Sequence, residues 1–78
     1  MSEEAVPKNL YLERLSRMTG EEVLEEANKH GKIMERGGMT RPEKIRAFTC
    51  FKYAAGSPKT KEDDKQMLLT ALRVLRLF

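Results

Sequence analysis

The sequence predicts an all-α fold, a compact bundle of three to four short helices, on three observations. No run shows the period-two alternation of apolar and polar residues that marks a strand. Thr19, Thr40 and Thr60 stand at near-equal steps, each just ahead of an acidic turn, as helix N-caps do. Gly37-Gly38 and Gly56-Ser57-Pro58 fall where helices should stop. Together these place helices at about 7–18, 20–36, 41–55 and 61–77, in a single domain of residues 7–78 behind a flexible N-terminus of residues 1–6.

The first helix begins near Pro7, whose fixed φ suits a first helical turn. Tyr11, Leu15 and Met18 form its narrow apolar stripe, with Leu12 beside them. The second opens on Thr19-Gly20-Glu21-Glu22, a capping box in which hydroxyl and carboxylate each accept from the other residue's backbone amide. Its stripe is Val23, Leu24, Ala27, Gly31 and Met34, flanked by His30. A glycine inside a helix costs up to ~1 kcal/mol relative to alanine. On the stripe, Gly31 therefore predicts a close approach of two helices, a break at that point being the alternative. His30 is expected to be a half-buried structural residue, since no nucleophile or carboxylate pair is spaced to use it as a base.

Thr40-Arg41-Pro42-Glu43 is a second capping box and opens the third helix. Ala47, Phe48, Cys50, Phe51, Ala54 and Ala55 share one of its faces, and the alanines allow a neighbouring helix close in. Cys50 reads as a small core hydrophobe. The fourth helix starts at Thr60-Lys61-Glu62-Asp63, a third box with the shorter aspartate. Its run from Met67 to Phe78 is the densest apolar stretch in the chain, and the fold is expected to be organised around it. At about 3.6 residues per turn, Met67, Leu68, Ala71, Leu72, Val74, Leu75 and Phe78 lie on one wide face. Leu69 and Leu77 are left outside among Arg73 and Arg76.

Seventy-eight residues bury only about 60–65% of their unfolded surface, so a core of this size is marginal without support. Cys50 is the single cysteine, which excludes an internal disulfide and suits a reducing, cytoplasmic setting. His30 and Cys50 are the only soft ligands, which argues against a metal site. No glycine-rich phosphate loop or cofactor motif occurs, so neither an enzyme nor a small-molecule cofactor is expected. The acidic Met1-Ser2-Glu3-Glu4 start is unlike a secretory signal. The longest apolar run carries two arginines and is short of the roughly 20 residues that span a bilayer. Support by another chain remains.

Two local resemblances bear on function. Glu35-Arg36, Gly38-Met39-Thr40-Arg41-Pro42 and Ala47-Phe48 resemble the turn and recognition segment of winged-helix repressors of the GntR type. That resemblance implies Arg41, Lys44 and Arg46 near duplex DNA, on the first half of a major-groove helix. Met34, Gly37 and Lys44 depart from the pattern, and no wing strands follow. Tyr11-Leu12-Glu13-Arg14-Leu15 resembles the start of the Hha/YmoA family, whose central Ala-Ala-Asp-His-Arg segment has no counterpart here.

The net charge of +3, from 15 basic and 12 acidic residues, permits nucleic acid without requiring it. The residues point first to a small protein–protein interaction module, a regulator or inhibitor that docks an apolar helical face on a partner protein or on itself as a homo-oligomer. Leu69, Arg73, Val74, Leu77 and Phe78 are the residues expected to make that contact. A DNA-binding regulator with a degenerate helix-turn-helix at residues 32–55 is the alternative.

Overall fold

A computed structural model describes residues 8–77, and the side chains of residues 10–77. It shows an all-α bundle of four helices: α1 Lys8–Ser16, α2 Gly20–Arg36, α3 Arg41–Gly56 and α4 Glu62–Leu75. Among the described residues there is no strand. The expected flexible N-terminus, the start at Pro7 and Phe78 lie outside the described residues.

Two of the three threonine signals act as expected. Thr19 Oγ1 accepts the Glu22 amide at 3.2 Å while Glu22 Oε1 accepts the Thr19 amide at 2.9 Å. Thr40 and Glu43 repeat the exchange at 3.3 and 2.8 Å. Each box satisfies two amides that helix geometry leaves without a partner. Between α2 and α3 the chain reverses through Gly37 and Gly38, at φ 81° and 70°. Side chains other than glycine rarely adopt that region, so these two residues set where α2 ends.

The third threonine does something else. Thr60 Oγ1 donates to the Ala54 carbonyl at 2.6 Å, inside the last turn of α3. The hydroxyl closes the preceding helix, and the N-cap of α4 is Lys61, which makes no side-chain cap bond. Glu62, Asp63 and Asp64 still occupy the first turn, where negative charge suits the helix dipole. The carbonyl end of α3 and the amide end of α4 compete for one short side chain; the buried end prevails.

The helix at the centre is α3, correcting the expectation that α4 organises the fold. It packs against α1, α2 and α4, whereas α2 and α4 touch only lightly. Ala47, Cys50, Phe51 and Ala54 are all essentially sealed from solvent. Small residues at three of those positions let helices close in from several sides, with Phe51 filling the space between them. Leu15 of α1 and Leu75 of α4 complete the innermost layer. The molecule is a slab, 35 × 27 × 16 Å, and α4 lies along α3 with much of its circumference outward.

Helix α2 runs unbroken through Gly31. Among the described residues a Cβ at that position would meet nothing within 4 Å, so the expected close approach of two helices of this chain is not found at Gly31. α1 stops at Ser16, short of Met18, because Arg17 and Met18 turn back onto the carbonyls of Arg14 and Leu15. α4 ends at Leu75, and Arg76 and Leu77 form a final turn.

Candidate docking surface on α4

Leu68 and Leu75, seven residues apart, are the buried line of α4, with Ala71 and Leu72 half-buried beside them. The wide inward face drawn from the sequence is therefore narrower in the structure. Met67 is 64% exposed, Leu69 44%, Val74 39% and Leu77 84%. Arg73 and Arg76 are exposed as well. Among the expected contact residues, Leu69, Arg73, Val74 and Leu77 all reach solvent; Phe78 lies outside the described residues.

They do not form one patch. Helical spacing puts Val74 one heptad after Met67, on the flank toward α2, and Leu69 on the opposite flank. On the α2 side, Met67, Thr70, Ala71 and Val74 form an i, i+3, i+4, i+7 seam along the wall of a groove of about 500 Å³. Gly31 and Met34 of α2 make the facing wall, and Glu35 and Asp63 supply acidic rims. Sequence reasoning put Met67 on the wide apolar face, left it out of the contact residues and missed its place beside Gly31. The sequence offered only the glycine on an apolar stripe; that it faces Met67 and Val74 depends on where α2 lies.

A second groove, about 650 Å³, lies between the first half of α3 and the end of α4. Ile45 and Phe48 give it an apolar floor, and Arg41, Lys44 and Arg76 line it. Of the three residues placed near DNA by resemblance, Arg41 and Lys44 thus share this groove. Arg46 is half-buried and faces elsewhere, close enough to His30 to act on its charge.

The interior carries one polar constellation. The Tyr11 hydroxyl donates to Glu26 Oε2 at 3.1 Å and lies 2.9 Å from His30 Nε2. Tyr11 and Phe51 stand edge-on to the His30 ring from two sides. His30 is buried rather than half-buried, and burial holds its pKa below the ordinary histidine value. Burial likewise raises the Tyr11 phenol, with Cys50 and Glu26 adding to the effect. The Cys50 thiol is pushed up to about 12, chiefly by burial. A thiol so protonated is a packing residue. Glu43, by contrast, is held below the usual carboxylate range, first by the Thr40 amide.

Among the described residues no group of three His, Cys, Asp or Glu side chains could hold a metal ion. No helix among them is long and apolar enough to cross a membrane. No family model, curated protein or solved structure matches this chain at a significant level.

Proposed function

We propose that this protein is a binding module that works by docking the outward apolar side of α4 on another protein chain. The observation that carries this reading is the exposure of Met67, Leu69 and Val74 on α4 and of Leu77 in the turn after it, in a domain with a small core. Four large apolar side chains reach solvent within eleven residues, on more than one flank, and exposed apolar surface of this kind marks interaction sites. Arg73 and Arg76 rim it, and charges at the edge of such a surface steer encounter and set orientation. A protein of this kind regulates or inhibits by occupying a surface of its target.

The test is a pull-down from the host with wild-type protein and a Leu69→Ser/Leu77→Ser variant as baits. A protein retained by the first and lost by the second, with helicity unchanged, supports the reading. Equal retention by both baits removes it, and unfolding of the variant would assign the two leucines to the core.

Duplex DNA is a second reading, favoured by the groove that Arg41, Lys44 and Arg76 line. Phosphate contacts make affinity fall steeply with salt. A titration of duplex DNA at low and then rising salt distinguishes the two readings. No binding at low salt ends the DNA reading.

A further inference from the structure

We infer that the occupant of the α2/α4 groove is the α4 helix of a second copy of this chain, lying antiparallel across a two-fold axis at Thr70. This rests on the docking reading above and names its partner.

The first ground is Gly31. It weakens the middle of α2, and nothing among the described residues makes use of the space above it. A helix laid into the groove would pass over that space, where the missing side chain permits close backbone approach.

The second is the seam itself. Asp63, Met67, Thr70, Val74 and Leu77 follow one another at alternating steps of four and three, the spacing by which helices pair. Thr70 is at the midpoint. Its hydroxyl already donates to the Gln66 carbonyl at 3.0 Å, so covering it leaves no unpaired donor. Antiparallel pairing about Thr70 sets Met67 of each copy against Val74 of the other.

The third is charge. Toward this seam the first turn of α4 carries Glu62 and Asp63, and its last turn carries Arg73. Two copies side by side in the same direction would set acid on acid and arginine on arginine. Reversed, the acidic end of each copy meets Arg73 of the other. Such a surface is self-complementary, as a two-fold interface requires.

Light scattering from about 1 μM to about 1 mM should show a monomer converting to a dimer. Val74→Asp, at a solvent-exposed position, should leave the thermal melt at low concentration unchanged and weaken the dimer at least about tenfold. Asp63→Arg and Arg73→Glu should each weaken it about threefold, and their combination should restore it. Thr70→Cys should form a disulfide dimer under mild oxidation while Leu69→Cys does not; Cys50 is buried and does not compete. A wild-type chain that stays monomeric across the range overturns the inference. So does a dimer indifferent to Val74→Asp, or one that cross-links through Leu69→Cys and not Thr70→Cys. A monomer that still captures a host protein through Leu69 and Leu77 would sink this inference alone, leaving the docking reading intact.

Discussion

The phenol oxygen of Tyr11 and Nε2 of His30 lie 2.9 Å apart, joining α1 to α2 through a buried polar contact. The Tyr11 proton is directed to Glu26, so the His30 tautomer that fits has its hydrogen on Nε2, donating to Tyr11. That leaves Nδ1 as a bare lone pair, and it has no partner among the described residues. A buried acceptor without a donor is a smaller penalty than a buried N–H without an acceptor. Removing the hydroxyl in Tyr11→Phe strands the His30 N–H and takes a donor from Glu26. It should cost about 1–3 kcal/mol in urea unfolding.

Acid should weaken the fold through the same histidine. Burial holds the folded pKa of His30 below its unfolded value of 6.5, against the pull of Glu26 and Glu43 and with the help of Arg46. Below that pH the unfolded chain takes up a proton that the folded chain refuses. Stability is therefore whole above about pH 6.5 and declines as pH falls toward the folded pKa. The slope should approach at most about 1.4 kcal/mol per pH unit. Urea unfolding of wild type and His30→Gln at several pH values between 7.5 and 5 tests this: the variant should lose the slope.

Gly31→Ala should raise the melting temperature of dilute protein. The new methyl meets nothing within 4 Å, and the helix gains up to ~1 kcal/mol of propensity. A drop instead would mean that Gly31 is needed for packing inside one chain.

The two uses of threonine differ in what a substitution removes. Thr40→Ala deletes a cap and should cost about 1 kcal/mol, with loss of helix at the start of α3. Thr60→Ala deletes the bond to the Ala54 carbonyl and should loosen the end of α3 while the α4 amides stay protected. Amide hydrogen exchange resolves which helix end opens; increased exchange confined to the first turn of α4 would contradict the assignment.

Neighbouring residues of α4 should respond in opposite ways to truncation. Leu75→Ala removes a sealed core side chain and should cost about 2–5 kcal/mol, a large part of what a domain of this size has. Val74→Ala, one residue earlier and outward, should stay within about 0.5 kcal/mol in dilute chemical denaturation.

Much of this fold was legible from local chemistry. The boxes at Thr19 and Thr40 and the glycine pair at 37 and 38 depend on residues within one turn of each other, and those helix limits emerge as read. The centre of the bundle was not legible in the same way. Apolar width singled out α4, but a helix is central when several others can reach it, and the small residues Ala47, Cys50 and Ala54 make α3 that helix. Thr60 escaped for a related reason: its hydroxyl had two possible acceptor environments, and only tertiary burial chose between them. The contact of Tyr11 with His30 joins residues 19 positions apart and leaves no periodic trace. For the candidate surface, the outward placement of Leu69 and Leu77 could be read from spacing. The split that puts Val74 with Met67 and Gly31 needed the position of α2.

Because α1, α2 and α4 each lean on α3, sequence change will not be tolerated evenly along the chain. Enlarging Ala47 or Ala54 pushes on several interfaces at once, so damage there spreads. The outer helices make fewer contacts with one another and can drift with less to accommodate them. A lineage carrying this protein is free to redraw its outer faces while the middle helix stays nearly frozen.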